Sequence, residues 1–566
     1  MSSSRPGASD GGTVVVPSAV DPSGVPDLDL VLGGGLPRGS LVIIVGPPGS
    51  GKTTLANQIA FDAAHNGRRS LVLTALSEPT SKLITRLRSF TFYDDSLVGD
   101  TLQFMSLEQF LPAGLEATGD ELIAIARERR AALVVLDGFR GVRGADVDPQ
   151  VARQFLYDVG TTLSVLGTTT IITSEAEPRD PLFFPEQTTA DVIIGLHYGL
   201  VGVRQWRAFE AVKARAVDPL PGLHGLTLSE QGAHVFPRLE TLITSSPGRK
   251  NAESASAVSD EWSGERAPRD PNQNRSTFGM PELDVLLAGG LTRGTSALLI
   301  GSIGTGKTLL GLHFILAGIG AGEPGVFLGF RESRRQLIEK ASAFAMGQQL
   351  RAALDPAGRL TLQRWAPVEL NPDIVANRLL EALDKIGARR LVVDSVAELE
   401  RAVVRNGDPA RVGDYMAALI EALRGRDVTT LFIKEHPQVL ATELDLSTGP
   451  ISVLAENVLL LRQVEHRSAL HRVLSVPKMR FSAHDHMLRE FVIAAPEGVR
   501  VLSPGESGSE VLAALAREQD TEPYSPPRRE QARGRRGGTQ RSSGTQRTNG
   551  DKTILGADDV PPEESQ

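Results

Sequence analysis

A glycine-rich motif occurs twice in this chain, each time between a short apolar run and a stretch of helical spacing. The first copy is Gly46-Pro47-Pro48-Gly49-Ser50-Gly51-Lys52-Thr53, after the run Leu41 to Val45 and before a helical pattern that continues to about His65. The second is Gly301-Ser302-Ile303-Gly304-Thr305-Gly306-Lys307-Thr308, after Ala297 to Ile300. A buried strand that runs through a glycine-rich turn into a helix leaves backbone N–H groups and the positive end of the helix dipole facing one point, which suits phosphate. Both copies therefore read as P-loops. In such a loop Lys52 and Lys307 reach the β- and γ-phosphates, and the hydroxyls of Thr53 and Thr308 hold Mg²⁺. The cradles comprise Gly46, Gly49, Ser50, Gly51 and Thr54 in one copy and Gly301, Gly304, Thr305 and Gly306 in the other, so ATP and Mg²⁺ are the expected ligands.

Lys52 and Lys307 lie 255 residues apart, and their flanks repeat at the same offset. Leu28-Asp29-Leu30-Val31-Leu32, with Gly33-Gly34-Gly35-Leu36-Pro37-Arg38-Gly39 after it, is echoed by Leu283-Asp284-Val285-Leu286-Leu287 and Ala288-Gly289-Gly290-Leu291-Thr292-Arg293-Gly294. This is a duplication of a whole domain. Within each copy short β-branched runs alternate with longer helical segments, the pattern of an α/β fold whose mainly parallel sheet is flanked by helices. The expected organisation is a disordered stretch 1–13, a first domain 14–244, a linker 245–275, a second domain 276–503 and a disordered tail 504–566. The tail is rich in Arg, Gly and Ser and cannot bury a core.

A formal net charge of −8 gives no global basic field, so nucleic acid is not the expected partner. The absence of cysteine excludes disulfides and Cys-ligated zinc. The first ten residues lack the apolar core of a signal peptide. The most apolar stretch, Leu298 to Gly320, is interrupted by Lys307 and reads as strand, P-loop and helix, not as a membrane span. A cytoplasmic protein without membrane association is expected.

Two apolar strands end in aspartate, Ala132 to Leu136 before Asp137 and Leu391 to Val393 before Asp394. Parallel strands open onto one crevice at their C-terminal ends, so each Asp can hold Mg²⁺ beside its own P-loop; a lone Asp there could equally cap the next helix. Ser70 to Thr74 and Gly325 to Gly329 lead to Glu78 and Glu332, which could polarise an attacking water or hydroxyl, or could simply stabilise a helix start. Lys213 and Arg215, and again Lys478 and Arg480, alternate along later strands, where residues i and i+2 share a face. Such a pair is ordinarily solvated. Its repetition suggests a phosphate, and with each P-loop already supplied with lysine, the nucleotide of a neighbouring subunit is the target.

The two P-loops, their Gly-Gly-Leu-x-Arg-Gly leaders and the run Lys478-Met479-Arg480 followed by Arg489-Glu490-Phe491 resemble the KaiC family of circadian clock ATPases and autokinases. The resemblance covers about Val14 to Ser503. It implies two tandem RecA-like P-loop NTPase domains, a homo-hexameric ring of two tiers with ATP between adjacent subunits, and a regulatory protein partner. It also implies that Lys213, Arg215, Lys478 and Arg480 reach a neighbour's phosphates. The chain departs from the clock members, which carry two adjacent glutamates after the second strand of each half. Here those positions are Ser77-Glu78 and Arg331-Glu332. The family's adjacent Ser and Thr phosphoacceptors match Ser452 and Val453, which leaves Ser452 as the single candidate.

The leading expectation is a KaiC-like ATPase ring that couples nucleotide state to regulation, with weak autophosphorylation at Ser452. A full serine/threonine autokinase is the first alternative; Arg331 cannot act as a base, and Val453 has no hydroxyl. A RecA-type DNA motor is permitted by the fold class but opposed by the charge balance. A nucleotide-binding scaffold with an arginine-rich docking tail is the fourth reading.

Overall fold

The computed structural model describes residues 20–74, 80–107, 110, 114–139, 149–179, 189–201, 203–244, 274–406, 409–436 and 450–503. The expected N-terminal stretch 1–13, most of the linker and the tail from 504 lie outside these residues, as does Glu78.

Among the described residues the large sheet of the first half has nine strands: β1 (Leu41–Gly46), β2 (Ser70–Thr74), β3 (Leu102–Ser106), β4 (Leu133–Asp137), β5 (Thr169–Glu175), β6 (Val192–Val201), β7 (Arg204–Ala214), β8 (His224–Ser229) and β9 (Gly232–Phe236). The second half repeats them as β10 (Ser296–Gly301), β11 (Gly325–Gly329), β12 (Leu360–Arg364), β13 (Arg390–Asp394), β14 (Thr429–Glu435), β15 (Asn457–His466), β16 (Ala469–Met479), β17 (Arg489–Ala494) and β18 (Gly498–Val501). The strand order is β3-β2-β4-β5-β1-β6-β7-β8-β9 in one sheet and β12-β11-β13-β14-β10-β15-β16-β17-β18 in the other. The two orders are the same. In each sheet the first six strands are parallel, and the last three continue as an antiparallel meander. The register even slips at matching places, between Ile193 and Ile194 in β6 and between Val458 and Leu460 in β15.

A strand at the centre of such a sheet is covered on both faces, which is why β1 and β10 are unbroken apolar runs without alternation. Leu41, Ile43 and Val45 enter one core layer with Phe155, Leu156 and Val159 of the helix Pro149–Val165. Val42 and Ile44 enter the other, with Leu55, Ile59 and Phe61 of the helix Lys52–His65. Ile44 is fully buried, and its burial contributes about 1.5–3 kcal/mol. The second half packs in the same way, with Leu298 and Ile300 in one layer and Ala297 and Leu299 in the other. These are two tandem RecA-like α/β domains, each a mainly parallel sheet flanked by helices.

The halves are joined by more than the chain. The short helix Leu239–Thr244 at the end of the first half inserts fully buried Leu239 into a core layer of the second. Beside it Arg411 forks onto Glu240 at 2.6 and 2.9 Å and onto Asp373 at 2.5 Å. Asn377 Nδ2 donates to the Pro237 carbonyl at 2.8 Å. Among the described residues no helix is long and apolar enough to cross a membrane.

Candidate functional site

Each P-loop leaves the C-terminal end of the central strand and turns directly into a helix, Lys52–His65 or Lys307–Gly320. The residues before these helices, Gly51 and Gly306, have φ of +107° and +88°, a region that favours glycine. A Cβ would also lie 2.7 Å from Leu228 Cδ1 at the first position and 2.7 Å from Ile493 Cδ1 at the second. No side chain caps either helix, so the first-turn N–H groups stay available to an anion.

The lysines are folded back onto their own loops. Lys52 Nζ donates to the carbonyls of Gly46 (2.8 Å) and Pro47 (3.0 Å), and Lys307 Nζ to that of Ser302 (2.7 Å). Burial pushes both ammonium groups below their ordinary range; Glu175 and Asp137 oppose this at Lys52, Glu435 and Asp394 at Lys307. A threonine–aspartate hydrogen bond forms in each half. Thr53 Oγ1 donates to Asp137 Oδ1 at 3.1 Å, and Thr308 Oγ1 to Asp394 Oδ2 at 2.7 Å. Burial raises both aspartates, against the hydroxyls of Thr173 and Thr53 at Asp137 and that of Thr308 at Asp394.

Among the described residues Asp137 Oδ2 is buried without a partner, as are the hydroxyls of Ser50 and Ser302. Buried polar atoms are ordinarily satisfied, so these are places for a ligand atom. Among the described residues no cluster of three or more His, Asp or Glu forms a metal cage. A single carboxylate and a threonine hydroxyl are instead the sparse protein set that suits Mg²⁺ carried in by a nucleotide's phosphates. Thr54 is half-buried at the third position of the helix Lys52–His65, and Thr305 Oγ1 closes the second loop onto the Ser302 carbonyl at 2.8 Å.

In the second half Lys307, Thr308, Asp394 and Glu332 line one cavity of about 490 Å³. Glu332 is ion-paired with Lys340, and its Oε2 is buried with no partner among the described residues. Arg331 bonds Glu435 at 3.1 Å and Glu398 at 3.3 Å. Glu78, the first-half counterpart of Glu332, lies outside the described residues.

Sequence reasoning missed Glu175 and Glu435. They end β5 and β14, directly beside the P-loop strand, with Glu175 in register with Gly46 and Glu435 with Gly301. The signal was a glutamate closing Thr169 to Glu175 and Thr429 to Glu435 at equivalent positions.

The paired bases are not brought to their own P-loops. Lys213 pairs with Ile193 and Lys478 with Val458, near the N-terminal ends of β6 and β15, whereas the P-loops leave the C-terminal ends of the parallel strands alongside. The strands end between the two bases, so Lys213 and Lys478 lie within β7 and β16, while Arg215 and Arg480 lie just beyond. Arg215 is 3.7 Å from Asp191. Lys478 Nζ donates to the carbonyls of Val453 (3.1 Å) and Ala455 (2.6 Å), fastening the short helix Pro450–Leu454 that carries Ser452. The Ser452 hydroxyl is buried and has no partner among the described residues.

Two RecA-like domains, each with a P-loop and a Thr–Asp pair at the same end of the same sheet, define a tandem P-loop ATPase architecture. The family model described as "ATPase: KaiC" matches residues 21–240 and again 276–506, and the chain belongs to that family. Curated relatives align along most of its length. It is 26% identical over 477 residues to circadian clock oscillator protein KaiC 1 of Synechocystis sp., covering 82% of this chain and 86% of that one. Against circadian clock protein KaiC3 of the same organism the figures are 26% over 508 residues, 87% and 93%. With circadian clock oscillator protein KaiC of Synechococcus elongatus they are 25% over 472 residues, 81% and 85%.

Proposed function

We propose that this KaiC-family chain binds and hydrolyses ATP at two sites and assembles into a cytoplasmic homo-hexameric ring that signals its nucleotide state to a regulatory protein partner. The observation that carries the reading is the repetition, in both halves, of a P-loop lysine, a Thr–Asp pair and, at the opposite end of the sheet, two bases. Lys52 and Lys307 bind the β- and γ-phosphates, and the uncapped helix starts supply N–H donors. Thr53 with Asp137, and Thr308 with Asp394, would hold Mg²⁺, which when bound offsets phosphate charge. Glu78 and Glu332 orient the attacking water in their respective sites.

Lys213 with Arg215, and Lys478 with Arg480, stand too far from their own P-loops to serve them and face the phosphates of the adjacent subunit. Autophosphorylation at Ser452 is correspondingly a transfer from the neighbour's nucleotide. It is weak, because the hydroxyl must first turn out of its buried position and Glu332 is engaged by Lys340. The names of the relatives support a regulatory output.

The test is to incubate purified protein with Mg-ATP and follow released phosphate and intact mass together. Phosphate release that disappears in the Lys52→Ala, Lys307→Ala double variant is expected, with at most a small mass shift that maps to Ser452. Unchanged binding and hydrolysis in the double variant would sink the proposal.

A further inference from the structure

Arg331 occupies a position from which a carboxylate would polarise water, and its surroundings give it a different task. One residue separates it from β11, and that residue, Phe330, donates its N–H to the Asp394 carbonyl at 3.1 Å, so Arg331 emerges beside the magnesium-side aspartate. It lines the same cavity as Lys307 and Thr308, and its charge helps to depress the Lys307 ammonium. Its side chain is 56% exposed, and its guanidinium is held by Glu398 and Glu435.

Neither carboxylate depends on it. Buried Glu398 is also ion-paired with Arg401, and Glu435 keeps a third of its side chain in solvent. A guanidinium can leave such partners without stranding a buried charge, and a phosphate oxygen offers it a charge-assisted bond of the same kind.

We infer that Arg331 is a triphosphate-selecting residue of the second site: with ATP bound it leaves Glu435 for the outermost phosphate, and with ADP it returns to the carboxylates. This rests on nucleotide binding at the second P-loop and specifies what that site discriminates. No bond is made or broken; the exchange is one ion pair for another. The second site thereby holds ATP in preference to ADP, and the Arg331–Glu435 pair reports which is present.

The experiment uses the full chain carrying Lys52→Ala, which confines binding to the second site, and titrates it with Mg-ADP and with the Mg complex of the non-hydrolysable β,γ-imido triphosphate. A charged hydrogen bond to phosphate corresponds to roughly tenfold or more in affinity. Arg331→Gln is expected to weaken the triphosphate analogue by about that factor while ADP stays within about twofold. Glu435→Gln, which removes the competing partner, is expected to tighten the analogue. Equal effects on both nucleotides, or none, would overturn the inference and leave the second site intact as a nucleotide site. Failure of the parent to bind either nucleotide would overturn the inference and the second-site binding on which it rests.

Discussion

Arg411 is the point at which the join between the halves can be tested. Its side chain is 18% exposed and lies between two carboxylates that are more buried still, Glu240 at 11% and Asp373 at 7%. Arg411→Met keeps much of the volume and removes the charge. The variant leaves Glu240 and Asp373 facing each other across a dry junction, and breaking a buried pair from one side costs about 3–5 kcal/mol. Loss of the guanidinium above the Tyr415 ring, 5.7 Å away, adds about 0.5–1 kcal/mol.

The pH dependence separates this account from simple loss of packing. In the parent, burial alone would raise Glu240, but the Arg411 fork outweighs it and holds the folded pKa below its ordinary value of 4.5. The stabilisation is therefore complete above that pH and is lost as the pH falls through the folded value. In the variant both carboxylates lose the Arg411 cation, with Glu240 keeping only Arg238 at 3.5 Å; their folded pKa values rise, and the penalty present at pH 7 is relieved as they protonate. Asp373, already raised by burial, takes a proton first. Urea unfolding followed by far-UV circular dichroism, at pH 7.5 and at pH 5, should show a large loss at the higher pH and a smaller one at the lower. A loss under about 1 kcal/mol at pH 7.5, or one that grows on acidification, refutes the reasoning.

Two further outcomes follow from the same coordinates. Leu239→Ala empties a first-half side chain from the second half's core and should cost about 2–5 kcal/mol in urea unfolding, with nucleotide affinity at the first site little changed. Glu210 is held at about 2, chiefly by its bond to His197 and also by Arg179 and in spite of burial, so its contribution should be full above pH 4.5 and decline toward pH 2. Because Arg179 stands largely in solvent, that contribution is at most about 1 kcal/mol, measurable as a flatter acid-denaturation profile in Glu210→Gln.

What could be read from the chain alone was whatever depends on neighbours in sequence. The P-loops, their flanking strands and the strand-ending Asp137 and Asp394 are each written in a dozen consecutive residues, because a strand buried on both faces must be apolar throughout and a phosphate turn must be rich in glycine. Glu175 and Glu435 were not legible as site residues. Their place beside Gly46 and Gly301 depends on β5 and β14 pairing with the central strand, a matter of sheet order. The bases Lys213 and Lys478 were visible as pairs, but their distance from their own P-loops is set by the antiparallel return of β7 and β16. The docking of Leu239 was hidden for a further reason: an apolar residue at the end of a domain carries no mark of whose core it completes.

The matching strand orders carry a consequence for symmetry. A sheet with its phosphate loop at one end and its paired bases at the other has unlike surfaces to offer a second copy, and a contact between unlike surfaces repeats head to tail. Such repetition closes into a cycle only when the rotation per subunit divides a full turn, and otherwise continues as an open helix. Here two such surfaces are tied covalently and braced by Arg411. In a ring of the kind proposed, neither half could choose its rotation independently, and a change of angle in one layer would have to be matched, or resisted, by the other.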